Sequence, residues 1–189
     1  FNKPGGGVIG GAGAQEENLF RRTNLFQSMY QFHAEVAAQY GIQVSEHQYP
    51  LDLNWGAVYT PGAVVFRGSE AEGYPLLLEP YKVDFIAVAA IRINDNNGRD
   101  LNAGEINITK NKMRAMFRIG LQHGNDSLVL GAFGCGAFRN SPMQIASLFH
   151  QIMNEDEFKN KFKKIVFAII ENHHQGENHN PNGNLEPFI

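Results

Sequence analysis

Apolar residues recur at Leu19, Phe26, Met29, Phe32 and Val36, close to the 3.6-residue period of a helix. That spacing predicts one long amphipathic helix over about 15–40, with Gly41 as its terminator. Residues 42–56, with His47, Pro50 and Trp55, read as an irregular loop. Val58 to Thr60 reads as a short strand running into a turn at Pro61-Gly62, and 63–67 as a second strand. Residues 69–81 turn from polar to apolar, as in a hairpin return or an excursion. The nearly continuous apolar run over 83–91 predicts a central strand covered on both faces. After an Asn/Asp-rich loop at 94–102, a helix is expected over 108–123, with Met113, Met116, Phe117 and Leu121 facing inward. A second buried strand at 127–133 leads to a helix from about Pro142, whose ring suits a first turn, to Met153. Residues 155–164 read as a charged, solvent-facing helix, 165–170 as a third buried strand, and 171–189 as a polar loop. Strands separated by helices predict a layered α/β domain with a mixed or mostly parallel sheet. Ligands of such sheets bind at the carboxyl ends of the strands.

Composition narrows the function without naming it. At 189 residues the chain predicts one domain, 1–189, able to bury about 70% of its unfolded surface. A net charge of −3 lacks the basic excess of a nucleic-acid surface, so no direct DNA binding is expected. An anionic ligand would have to be met by backbone dipoles and a few local groups. Cys135 is the single cysteine, which excludes an intramolecular disulfide and fits a reducing, cytoplasmic compartment. No apolar run approaches a membrane span, and no signal peptide is visible. The chain opens on Phe1 rather than Met, which predicts a trimmed N-terminus.

The stretch from Gly5 to Glu17 departs most from ordinary chain. It holds six glycines in nine positions and ends in Gln15-Glu16-Glu17 at the predicted helix start. Glycine costs folding entropy and returns no packing, so such a run serves unusual φ/ψ values or close approach of a ligand. The helix opening offers unpaired N–H groups and a positive dipole end to an anionic or hydroxyl-rich ligand. No Gly-Lys-Ser/Thr follows the glycines, so this is not a P-loop, and no strand precedes them as in a dinucleotide fingerprint. A flexible linker would carry more Ser and would not end in two carboxylates. A second glycine loop, from Gly131 through Gly134-Cys135-Gly136-Ala137-Phe138 to Asn140, joins a predicted strand to a helix. Its glycines let successive N–H groups converge into an anion nest, suited to a diphosphate.

Gly5-Gly6-Gly7, seven residues, then Gln15-Glu16-Glu17 resembles the signature loop of the poly(ADP-ribose) glycohydrolases. The stretch from Leu128 to Pro142 is similar to the diphosphate loop of the microbial-type members. Two further stretches, 59–67 and 168–184, are similar to a strand pair and to the last strand with its following loop. The family carries a strand and an Asn/Ala-rich segment before the triple glycine, where only Phe1 to Pro4 stand here. The resemblance implies a single macrodomain-type catalytic domain: three layers, α/β/α, around a mixed, mostly parallel sheet. It implies hydrolysis of the ribose–ribose O-glycosidic bond in poly(ADP-ribose), exo-type, releasing ADP-ribose, by a monomer that needs no cofactor.

In that reading Glu17 is the general acid and then base, and Glu16 orients ribose hydroxyls; neighbouring helical residues point about 100° apart and cannot share one atom equally. Gln15 supports the loop, and Gly5, Gly6, Gly7 and Val8 approach the distal ribose. Gly134, Cys135, Gly136 and Ala137 take the phosphates, and Phe138 and Asn140 neighbour the ligand. The loop after Asn172 is the expected place for adenine. Alternatives are removal of single ADP-ribose groups from ADP-ribosylated protein, or a non-catalytic ADP-ribose reader. His173, His174 and His179 match no strong zinc pattern, so no metal is expected. Cys135 lacks the base partner of a nucleophile and reads as a small filler.

Overall fold

The computed structural model describes residues 4–95, 99–170 and 176–189. It divides into two compact units, Phe1–Asp52 with Ala57–Ala87, and Leu53–Gly56 with Val88–Ile189.

In the first unit the expected long helix is three: α1 Gln15–Arg22, α2 Leu25–Met29 and α3 Ala34–Gln39. The first break falls at Thr23, which turns extended (φ −136°, ψ 169°) and forms an antiparallel bridge to Val65. Its hydroxyl donates to Leu19 O at 2.8 Å and accepts from Leu25 N at 3.0 Å. Asn24 then pairs with Val64 twice, its N–H donating to Val64 O and its Oδ1 accepting from Val64 N. Thr and Asn compete with the helix in this way because their side chains offer the backbone other partners. A 3-10 turn at Tyr30–Phe32 and an extended His33 make the second break. Of the predicted stripe only Met29 is fully buried; Leu19, Phe26, Phe32 and Val36 pack half-buried against a cluster of Phe20, Leu25, Met29, Tyr30 and Val58. Each such side chain contributes about 1.5–3 kcal/mol when fully buried.

Strand β1, Ala57–Arg67, is continuous where two strands and a turn were expected. Gly62 takes φ 60° inside it, and the Asp84 carboxylate accepts from both Gly62 N (2.7 Å) and the Tyr59 hydroxyl (2.6 Å). Its hydrogen-bonded neighbour β2, Leu76–Val88, begins well before the predicted 83. It is not covered on both faces, for Leu76, Leu78, Tyr81 and Val83 are exposed. An apolar run identifies a strand but does not say what covers it.

In the second unit, α4 Ala103–Gln122 starts earlier than the apolar period indicates. An Asn102/Glu105 capping box opens it, satisfying the first amides without any apolar residue. Strands β3 Ser127–Leu130 and β4 Lys164–Phe167 pair in parallel with Ser127 opposite Lys164. Both are shorter and less buried than expected, with Val129 and Ile170 largely exposed. Helix α5, Pro142–Met153, follows the prediction, with the Ser141 hydroxyl accepting from Gln144 N. The expected helix at 155–164 is instead a run of turns carrying a positive φ at Asn160. Its Phe158 is buried against Phe117, at 5.3 Å between ring centroids, while Glu155 and Glu157 pair with Arg114 and Arg118. Among the described residues the strands form two two-stranded sheets, with helices in both units: an α/β fold.

Candidate active site

The first glycine loop doubles back on itself. Gly7 O accepts from Gly10 N (2.9 Å) and Ala12 N (3.1 Å), around a 3-10 turn at Val8–Gly10. Gly5 and Gly6 take φ 73° and 48°. A Cβ on Gly5 would stand 2.6 Å from the Phe20 ring, and one on Gly6 would overlap the Glu17 carboxylate. Only glycine lets this backbone lie directly on the α1 side chains. Arg21, one turn after Glu17, donates to the carbonyl oxygens of Val8 and Ala12 and pins the loop from below. Sequence reading passed over Arg21; its i+4 spacing from Glu17 was the available signal.

Each carboxylate has its own backbone donor. Gly5 N–H donates to Glu16 Oε1 at 3.3 Å, and Gly7 N–H to Glu17 Oε1 at 3.0 Å. The glycines expected to approach a ribose thus hold the acid pair. Glu17 is buried, at 8% exposure, and Glu16 is half-buried. Desolvation is the largest influence on Glu16, pushing its carboxyl up to about 7; the Gly5 N–H opposes this and the charge of Glu17 reinforces it. The negative charge of Glu16 also reaches Tyr30 and Tyr49, whose phenols are raised mainly by burial. Gln15 opens α1 and is exposed. Beside the loop lies an apolar groove of about 250 Å3 lined by Val8, Ile9, Phe20, Phe26, Tyr30 and Tyr40, with Tyr30 and Tyr40 stacked at 5.3 Å.

In the second unit, residues 131–140 turn tightly. Cys135 N donates to Ala132 O, Arg139 N to Gly136 O and Asn140 N to Gly134 O. Gly134 takes φ 74°, and a Cβ there would stand 2.5 Å from Asn140 Nδ2 and 2.7 Å from Ala90. Asn140, expected beside the ligand, is 1% exposed and braces the loop, its Nδ2 donating to Ile91 O and Gly134 O. The N–H groups of Gly134, Gly136, Ala137 and Phe138 donate to no acceptor among the described residues, as an anion nest requires. Cys135 is fully buried and its thiol is pushed up to about 12 by desolvation, the state of an inert filler. His179, buried, sets Nε2 3.2 Å from Cys135 O and Nδ1 3.5 Å from Glu177, tying the tail to this loop. His173, His174 and the start of the loop after Asn172 lie outside the described residues; from Gly176 the loop is described and carries an antiparallel bridge between Glu177 and Asn180. Among the described residues no group of three or more His, Cys, Asp or Glu is placed to hold a metal ion.

Two carboxylates at a glycine-cradled helix start can deliver a proton and direct a water, the requirements of glycosidic cleavage. Residues 1–68 match the model of the family described as microbial-type PARG, catalytic domain. No curated protein matches the chain. Among solved structures, poly(ADP-ribose) glycohydrolase from Thermomonospora curvata is similar in a mutant form (31% identity, TM-score 0.71) and in a second structure (30%, 0.70). Each match covers 94% of this chain, and 64% and 62% of those chains, so the chain spans less than two thirds of their length. Poly(ADP-ribose) glycohydrolase from Deinococcus radiodurans, solved in complex with ADP-ribose, matches at 26% identity and TM-score 0.66, over 94% of this chain and 68% of that one. In sequence over its first 68 residues and in fold over 94% of its length, the chain is similar to the microbial-type poly(ADP-ribose) glycohydrolases.

Proposed function

We propose that the chain hydrolyses ribose–ribose O-glycosidic bonds of poly(ADP-ribose), working from chain ends and releasing ADP-ribose. The observation that carries this reading is the buried Glu17 held by Gly7 N–H beside a Glu16 raised to about 7. Glu17 protonates the leaving ribose oxygen and then activates water. Glu16, part-protonated near neutrality, both donates to and accepts from ribose hydroxyls. Gly5, Gly6, Gly7 and Val8 approach the distal ribose, with Gln15 supporting the loop. The loop Gly134, Cys135, Gly136 and Ala137 takes the diphosphate, through the N–H groups of Gly134, Gly136 and Ala137, with Phe138 and Asn140 beside it. General acid catalysis contributes about 10²–10⁴-fold, and positioning of the sugar and diphosphate supplies the larger share.

The same reading takes 1–189 as one macrodomain-type catalytic domain of three layers around a mostly parallel sheet, acting as a monomer in the cytoplasm. Assay of defined polymer against mono-ADP-ribosylated protein tests it. ADP-ribose release from polymer is the expected result; release only from the mono-modified protein would make the chain a mono-ADP-ribosyl hydrolase. Binding without turnover on either substrate would make it a reader.

A further inference from the structure

The apolar groove beside the first glycine loop lies wholly in the first unit and is continuous with the acid pair. Glu16 and Phe20, four residues apart, share a face of α1. Phe20 lies against Gly5, whose N–H donates to Glu16, and its ring meets Tyr30 at 5.5 Å between centroids. Tyr30 in turn stacks on Tyr40. Val8 and Ile9, which follow the Glu17 donor Gly7 in the chain, also line the groove. Ile9 and Tyr40 are 79% and 52% exposed, so apolar and ring surface stands open to a ligand next to the two carboxylates.

The lining selects a neutral, flat ligand. No charged residue lines the groove, and Glu16 beside it disfavours a phosphate. Aromatic and aliphatic side chains suit the face of a nucleobase. The volume of about 250 Å3, below the usual range for a whole small-molecule site, suits one base rather than a dinucleotide. The bond cleaved in poly(ADP-ribose) puts such a base here. When water takes its place at the anomeric carbon, the leaving oxygen departs, protonated, as the 2′-hydroxyl of an adenosine ribose. Adenine is bonded to the very next carbon of that ribose, so it must lie close to the acid. A mono-ADP-ribosylated protein presents an amino-acid side chain there instead. We propose that the groove is a subsite for the departing nucleoside, in which Tyr40 and Ile9 hold its adenine and favour polymer over mono-ADP-ribosylated protein. This rests on the reading of Glu17 as the acid in polymer hydrolysis.

The test is an amide-resolved NMR titration of the full chain with adenosine, in saturating ADP-ribose so that the product site is already filled. Saturable shifts at Val8, Ile9 and Tyr40 with adenosine, and none with methyl β-D-ribofuranoside, are expected. Tyr40→Ala and Ile9→Ala, both at exposed positions, should each lower kcat/KM for polymer at least about fivefold, with ADP-ribose affinity by calorimetry retained. Unchanged kcat/KM in both variants, or no adenosine shifts while ADP-ribose binds and polymer is turned over, would overturn the subsite and leave the proposed activity standing. Equal shifts from the ribofuranoside would also overturn it, as would shifts at these amides on concentrating the free chain, the sign of a second copy covering the groove. Failure of the parent chain both to bind ADP-ribose and to cleave polymer would remove the activity and the subsite together.

Discussion

Replacing Glu16 by Gln is the most direct test of the acid pair, because it separates charge from shape. Glu16 carries a carboxyl raised from 4.5 to about 7, chiefly by burial. Its folded-state value lies above its unfolded one, so folding takes up a proton between those pH values. Stability from this position is therefore complete below about pH 4.5 and is lost as pH rises to about 7. One pH unit corresponds to about 1.4 kcal/mol, so an ionised Glu16 costs the fold about 3 kcal/mol at most above neutrality. Gln keeps the size of the protonated carboxyl and its acceptor for Gly5 N–H, but cannot ionise. In urea unfolding, Glu16→Gln should match the parent at pH 4.5 and exceed it at pH 8 by about 1–3 kcal/mol. A stability difference that does not change between those pH values would refute the assignment of the raised carboxyl to Glu16.

The other expectations rest on different groups. Glu17→Gln should lower turnover of polymer by about 10²–10⁴-fold while ADP-ribose binding by calorimetry persists; retained turnover would remove Glu17 as the acid. Gly6→Ala forces a Cβ into the Glu17 carboxylate at φ 48° and should cost at least about 1–2 kcal/mol in thermal unfolding, with loss of activity. Arg21→Met removes the donor to Val8 O and Ala12 O, and faster hydrogen exchange at 5–12 should follow, with the helices of the unit unchanged. Cys135, buried with its thiol near 12, should react with a thiol reagent only on addition of denaturant; rapid labelling of the native chain would contradict its burial.

Sequence periodicity found most helices and strands but misjudged where they stop. The 3.6-residue recurrence from Leu19 to Val36 is real in the packing, yet it spans two breaks. Periodicity records which residues face the core, whereas Thr23 and Asn24 leave the helix to bond Val64 and Val65, some 40 residues away. The early start of α4 was legible in Asn102 and Glu105, which carry a cap and no apolar signal. Burial was the least legible quantity. Val83 and Val129 look like core residues in the sequence and are exposed on their strands, while Phe158 sits among charges and is buried. At the candidate site, residue types pointed to the acid pair, but only geometry assigns Gly5 N–H to Glu16 and Gly7 N–H to Glu17.

The proposed use of backbone N–H groups to bind a diphosphate suits the charge of the chain. With 16 basic and 19 acidic residues, the protein has no excess cations to gather around a diphosphate, and Arg99, Arg114 and Arg118 are engaged with Glu105, Glu155 and Glu157. Backbone N–H groups carry partial positive charge without a mobile side chain, so aiming them costs little ordering entropy at binding once glycine has allowed the turn. They also lack the full charge that would ionise Glu16. An Arg beside that carboxyl would draw it back below the usual range, as Arg99 does to Glu105, held down to about 2. Gly5 N–H, in contrast, holds Glu16 in place and leaves burial as the larger influence. Each loop also keeps glycine for its own close contacts, since a side chain at Gly5 or Gly6 would meet Phe20 or Glu17, and one at Gly134 would meet Asn140 and Ala90.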